Sequence, residues 1–349
     1  MSERHREPDM RSSPEFDLIA RVRERLRTTV TASSRAAEIR VGIGDDAAVT
    51  VPAAGDGATA TSVDALVDGV AFRRRWCPPA AIGRKALGAA LSDLAAMGAS
   101  AGEAYVWLGM PDDLSEAEAL ELCDGVATLA ERHGVAVLGG DLTRAPALSV
   151  CVTAVGHAGS ADALLGRSGA QSGDAVCVTG TFGGAAAGLM LLEHPELAAE
   201  VEPRLRDACI ARQLDPEPLL ACWAALAASG ARAMIDVSDG LGSDCEHLAA
   251  ASGLGVEIEV DRVPVAPGVT AVAAAAGRDP NELVVSGGED YELICAVPRL
   301  ALAGCAAAVE GCGGRLTEIG RFVNGGSVRL RLPGGRSVPA SGHDHLRPR

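Results

Sequence analysis

Five aspartate-bearing segments hold most of the chemistry this sequence can do. Gly44-Asp45-Asp46, Asp64 within Ser62-Val63-Asp64, Gly139-Gly140-Asp141 and Asp236-Val237-Ser238-Asp239-Gly240 each fall where a strand pattern ends in a turn. Asp93 lies instead inside Ala90-Leu91-Ser92-Asp93-Leu94-Ala95-Ala96-Met97-Gly98, an apolar helix where a carboxylate persists only if it pairs or binds a cation. Each acidic turn taken singly is ordinary loop chemistry. Together they offer hard oxygen ligands without a His or Cys cluster, which suits Mg2+ rather than zinc. The His343-x-His345 pair reads as solvated.

An acidic cage admits a polyphosphate only when metal reverses the local charge, so the expected ligand is a nucleotide carried by Mg2+. Gly139-Gly140, Gly287-Gly288 and Gly180-Thr181-Phe182-Gly183-Gly184 would let backbone amides approach phosphate oxygens, the last run opening a helix. Arg144 and Arg167 are candidate phosphate partners.

Composition narrows the classes further. The 349 residues carry 31 basic and 46 acidic side chains, a formal charge of −15, which leaves no global basic face for nucleic acid or an anionic membrane. Lys85 is the sole lysine, and it sits in Ile82-Gly83-Arg84-Lys85-Ala86 without P-loop spacing, so any ATP is handled by other means. The ten cysteines contain no C-x-x-C pair and read as reduced core residues of a cytoplasmic protein. No apolar run approaches the roughly 20 residues of a membrane span.

The elements that must position these residues form two α+β domains. A charged tail over 1–14 precedes an N-terminal domain over 15–157, and a C-terminal domain follows over 158–349. The spacing of Phe16, Ile19, Val22 and Leu26 predicts a helix, and a short strand-like piece covers Ile39 to Asp46. A strand is expected over Ala58–Asp64, a helix over Ala80–Met97, a strand over Glu103–Met110 and a helix over Ser115–Arg132 opened by a capping box. Val135–Leu138 reads as a buried strand and Leu148–Gly156 as another. In the second domain, strands fall at Ala175–Gly180, Ala233–Val237 and Val256–Val260, with a further segment over Glu289–Val297. Helices are expected near 184–192, 216–229, 241–251 and 299–309.

Taken in order, the motifs resemble the thiamine-monophosphate kinase family of the aminoimidazole-ribotide-synthetase-like superfamily. The carriers are Gly42-Ile43-Gly44-Asp45-Asp46, Gly83-Arg84-Lys85, Leu91-Ser92-Asp93-Leu94-Ala95-Ala96-Met97-Gly98, Gly139-Gly140-Asp141, Arg167-Ser168-Gly169, Asp236-Val237-Ser238-Asp239-Gly240 and Ser286-Gly287-Gly288-Glu289-Asp290-Tyr291-Glu292. The resemblance implies ATP-dependent phosphorylation of thiamine monophosphate, and a homodimer whose N-terminal domains pair into a barrel. It implies that Asp46, Ser62, Asp64, Asp93, Asp141, Asp236 and Asp239 hold metal, with Asp46 and Asp239 central to catalysis. It further implies that Gly140, Asp141, Arg167 and Ser238 contact nucleotide and that Glu289 contacts the acceptor.

Three positions depart from the family pattern: Val63 replaces a threonine ligand, Ala71 a substrate-contacting histidine and His343 an aromatic residue. The alternatives are therefore a related kinase or ATP-dependent synthetase acting on another phosphorylated small molecule, and a non-catalytic nucleotide- or thiamine-phosphate-binding homologue.

Overall fold

The computed structural model describes residues 20, 23, 24, 38–51, 57–216, 218, 220–332 and 337–339. The expected tail, most of the helix over Phe16–Leu26, and His343 lie outside the described residues.

The first sheet contains β1 (Ile39–Val41), β2 (Ala48–Thr50), β3 (Ala58–Val67), β4 (Ser100–Met110), β5 (Ala136–Arg144) and β6 (Ser149–Ala158), in the order β1-β2-β3-β6-β4-β5. Strands β4 and β5 run parallel, and the other neighbours are antiparallel. Along β3, Ala58, Ala60, Ser62 and Leu66 are buried on one face, and period-two alternation leaves Val63 64% exposed on the other.

That buried face packs under α1 (Pro79–Ala96), which starts with a proline at its first turn and is built largely from alanine and leucine. Helix α2 (Glu116–His133) opens on the expected capping box of Ser115 and Glu118 and stops at Gly134, whose φ of 67° is left-handed.

Gly83 and Gly125 allow α1 and α2 to touch backbone to backbone. A Cβ at Gly83 would lie 2.1 Å from the Leu122 carbonyl oxygen, and one at Gly125 would lie 2.0 Å from that of Ala80. The glycine of the Gly83-Arg84-Lys85 motif thus serves helix packing.

The second sheet contains β7 (Ala175–Thr179), β8 (Ala233–Asp236), β9 (Gly255–Glu259), β10 (Leu293–Val297), β11 (Leu316–Val323), β12 (Val328–Arg331) and β13 (Ser337–Pro339). Its order is β13-β12-β9-β11-β7-β10-β8. Its helices are α3 (Gly184–Glu193), α4 (Pro203–Leu214), α5 (Leu220–Ala228), α6 (Leu241–Ala251), α7 (Val269–Ala275), α8 (Pro280–Ser286) and α9 (Leu302–Gly311).

Both faces of this sheet are covered. Val176, Val178, Ile235 and Ile294 join one core with α3, α6, α7 and α8, while Cys177, Met234, Leu293 and Cys295 join another with α5, α9 and the end of α1. Strands buried on both faces read as continuous apolar runs, which explains why β7 and β10 lack alternation. Helix α1 therefore belongs to both domains: it packs on β3 and β6 of the first sheet and on β8, α4 and α5 of the second domain.

The α+β class holds, but several expectations change. The predicted buried strand over Val135–Leu138 is β5, which runs on to Arg144 as an edge strand with every residue exposed, so Gly139-Gly140-Asp141 lies within a strand and not at a turn. Periodicity cannot tell an apolar strand covered by its own chain from one left open. Asp64 likewise lies inside β3, which continues to Val67. Helix α4, together with α7, α8, β11, β12 and β13, carries too weak a pattern to have been expected. All ten cysteines are free and most are buried, but Cys123 and Cys312 are exposed and do not belong to the core.

The close helix crossing sets a test. Gly125→Ala should cost about 1–3 kcal/mol through overpacking, seen as a lowered melting temperature with the circular dichroism of the folded state retained. An unchanged melting temperature would contradict the backbone contact.

Candidate functional site

Four chain segments bring carboxylates to one floor between the domains. The bend before β2 supplies Asp45 and Asp46, β3 supplies Ser62 and Asp64, α1 supplies Ser92 and Asp93, and the end of β8 with its following loop supplies Asp236, Ser238 and Asp239. Carboxylate oxygens of Asp46, Asp93 and Asp236 all lie within 4.8 Å of one another. Like charges so close repel, and the surroundings answer only in part. Ser62 Oγ donates to Asp93 Oδ2, and Ser92 Oγ donates to Asp236 Oδ2 at 2.6 Å. Arg167 donates through Nε and Nη2 to Asp46 Oδ1 at 3.2 and 2.5 Å, while its backbone N–H faces both Asp45 oxygens at 3.3 Å.

Burial, and then the neighbouring Asp236 and Asp46, push the Asp93 carboxyl well above the usual carboxylate range. Burial followed by Asp46 pushes Asp236 up to about 7. The second oxygen of Asp46, Oδ2, is buried and accepts no hydrogen bond from any described residue. A bundle of hard oxygens with an orphaned buried carboxylate oxygen fits a divalent cation such as Mg2+.

The loop after α8 is held against the loop after β8. Glu289 N–H donates to Ser238 O at 2.8 Å, and Tyr291 N–H donates to Val237 O at 2.9 Å. Glycine is needed here for contact between chain segments, since a Cβ at Gly288 would lie 2.4 Å from Ser238 O. Gly288 thus has a packing role, and both Gly287 and Gly288 line the cleft.

The expected anion site at the start of α3 is also taken from within. Asp290, buried, accepts from Gly183 N–H at 2.7 Å and Ala185 N–H at 3.2 Å. Behind it, Glu292 accepts from Thr179 Oγ1 at 2.8 Å and Arg212 Nη2 at 3.2 Å. Asp244 caps the loop at Asp239 and Gly240 with two bonds of 3.1 Å.

The cleft above the floor has a volume of about 1090 Å³ and is lined by both domains. Of the residues expected from sequence, Asp64, Ala71, Asp93, Arg167, Asp236, Ser238, Asp239 and Glu289 line it, and Asp46 and Ser62 join the floor through Asp93 and Arg167. Gly140 and Asp141 do not: they lie on exposed β5, outside this cleft. Arg144 is 84% exposed and pairs with Asp112 at 3.2 Å, so it is no phosphate partner within this chain's cleft.

Sequence reasoning missed Lys85, Ser92 and Gln213. Lys85 was read as the absence of a P-loop and as part of a family motif without a role of its own, yet it lines the cleft and pairs with Glu289 Oε1 at 2.8 Å. Its place on a helix without an exposed face was the available signal.

The chain is similar over most of its length to known proteins. Residues 44–158 match the family model "AIR synthase related protein, N-terminal domain", and residues 171–333 match the corresponding C-terminal domain. The chain is 38% identical to the thiamine-monophosphate kinase of Mycobacterium tuberculosis (strain CDC 1551 / Oshkosh) over 82% of this chain and 81% of that protein. It is 37% identical to the thiamine-monophosphate kinase of Escherichia coli (strain K12), over 88% and 90% respectively. Among solved structures, "AaThiL complexed with AMPPCP and TMP" superposes with a TM-score of 0.80 at 30% identity, covering 98% of this chain and 99% of that one.

The crowded floor makes a prediction about pH and charge. A carboxyl raised to about 7 contributes stability that is complete below the usual carboxylate range and is lost as pH rises through 7. The metal-free protein should therefore melt lower at pH 8 than at pH 6, and added Mg2+ should raise the melting temperature more at pH 8. Asp93→Asn should stabilise the metal-free protein by about 1–2 kcal/mol at pH 8 while weakening the response to Mg2+. Thermal denaturation with EDTA and with Mg2+ measures both, and a destabilised variant with a full Mg2+ response would refute the repulsive floor.

Proposed function

The chain belongs to the thiamine-monophosphate kinase family of AIR synthase related proteins, and we propose that it transfers the γ-phosphoryl group of ATP to the phosphate of thiamine monophosphate, giving thiamine diphosphate. The observation that carries the reading is the trio of Asp46, Asp93 and Asp236 at the foot of a cleft large enough for nucleotide and acceptor together. Asp46, Ser62, Asp64, Asp93, Asp236 and Asp239 are the residues that would hold Mg2+. Bound there, Mg2+ supplies the positive charge that lets two phosphate-bearing anions approach.

The chain's own residues then have two tasks. Arg167 and Ser238 orient the nucleotide, and Arg167 also neutralises part of the carboxylate floor through Asp46. Glu289 faces the acceptor end, where Ala71 leaves space. An acceptor phosphate whose second pKa is about 6 is already largely ionised at neutral pH, so its oxygen attacks the γ-phosphorus in line as the bond to the bridging oxygen breaks and ADP departs. Such a reaction needs positioning more than a general base, in keeping with a cleft lined by carboxylates and arginine.

We further propose a cytoplasmic homodimer in which the N-terminal domains pair into a barrel. Strand β5 supports this reading: it is exposed along its length and presents Leu138 and Leu142 at 63% and 70% exposure. Gly140 and Asp141 lie on the same strand, which would place them at the subunit interface. Among the described residues, no helix is long and apolar enough to cross a membrane.

Incubation with Mg-ATP and thiamine monophosphate should yield ADP and thiamine diphosphate in equal amounts. Asp46→Asn should lower turnover by about 100- to 1000-fold, the scale for loss of a group that organises transition-state charge. Absence of thiamine diphosphate at saturating substrate would defeat the proposal. ATP turnover only with another phosphorylated acceptor would instead favour the reading suggested by Ala71.

A further inference from the structure

Building on the proposed function, we infer that Lys85 is a positioning residue that acts through Glu289, fixing that carboxylate for the acceptor and withholding it from the metal-binding floor. Lys85 is only 1% exposed, and its ammonium group meets Glu289 Oε1 at 2.8 Å. Its remaining donors reach Gln213 O at 3.1 Å and Ala71 O at 3.4 Å. An ammonium carries three donors, so all are engaged and the group is locked. Gln213, 5% exposed, completes the clamp by donating from Nε2 to Glu289 Oε2 at 2.6 Å.

Each oxygen of Glu289 therefore has one fixed donor, while the side chain as a whole stays 25% exposed and lines the cleft. A carboxylate offers about four lone-pair sites, so the unused ones can accept N–H bonds from an acceptor such as an amino-substituted heterocycle. The backbone is fixed too. Glu289 has φ of 64°, a conformation a non-glycine residue holds only when its surroundings impose it.

The charge arithmetic separates Glu289 from Asp46, Asp93 and Asp236. Those three crowd together, with Arg167 paired to Asp46, whereas Glu289 has a buried cation of its own. Both oxygens of Glu289 are occupied, by Lys85 and by Gln213, whereas Asp46 keeps Oδ2 without a donor among the described residues, so Glu289 has the less to offer a metal ion. The cleft is thus divided into a floor that takes Mg2+ and a wall that takes the acceptor. Because Lys85 stands on α1 and Glu289 in the second domain, the ion pair also sets the spacing between them.

Steady-state kinetics with Mg-ATP and thiamine monophosphate tests the inference. Lys85→Met should raise KM for thiamine monophosphate by about 10- to 100-fold, as expected for hydrogen bonds to a charged group, with KM for ATP changed less than about twofold. The double variant Lys85→Met/Glu289→Gln should be no worse than Glu289→Gln alone, because Lys85 acts through Glu289. Equal rises in both KM values, an unchanged KM for thiamine monophosphate, or additive losses would overturn the assignment. If Lys85→Met does not fold, Gln213→Leu removes the other half of the clamp, and the same KM split and cycle with Glu289→Gln decide. Wild-type protein that forms no thiamine diphosphate defeats the functional reading, whereas wild-type turnover with unaltered variants defeats only the role of Lys85.

Discussion

A helix enclosed on nearly every side can carry a polar side chain only where a partner waits for it, and this constraint on α1 organises the molecule. Fourteen of its residues are buried; Lys85 and Asp93 line the cleft, and Ser92 reaches Asp236 beneath it. Asp93 meets Ser62 of the first sheet, Ser92 meets Asp236 of the second, and Lys85 meets Glu289. Each bond crosses from α1 to another element, so the helix registers both domains against the same cleft. Small residues make the enclosure possible: Ala95 and Ala96 enter the second domain's core, and Gly83 admits α2.

The acidic residues around this helix have distinct fates, decided by what surrounds each. Asp290, Asp244 and Glu292 are satisfied by backbone amides, a hydroxyl or Arg212, and serve architecture. Glu289 is matched by Lys85. Asp46, Asp93 and Asp236 have less donor capacity than charge, and that deficit is what calls for a cation. Net charge states the total and says nothing of this distribution.

The same distinction explains what the sequence disclosed. Asp93 was legible because a carboxylate amid alanines and leucines contradicts its local pattern, and Asp46 and Asp236 because they border apolar strands. The α+β class followed from mixed periodicities and from the capping box at Ser115. Glycine function was misread at Gly183, because a glycine-rich helix start looks alike whether the nearby anion is a ligand phosphate or the protein's own Asp290. Exposure of β5 was illegible because its residue types suit a covered strand equally well. The role of Lys85 required partners 128 and 204 positions away, Gln213 and Glu289, which no local pattern joins.

Enclosure of the only lysine also bears on how the protein can be handled chemically. With Lys85 at 1% exposure, no side-chain amine is open to acylating reagents in the folded state. Amine-directed crosslinkers and dyes would find no lysine side chain at the surface, and modification of Lys85 would proceed only as fast as the two domains part at the clamp. Its acylation rate is therefore a built-in reporter of cleft opening, read by mass on a single residue without introducing any label.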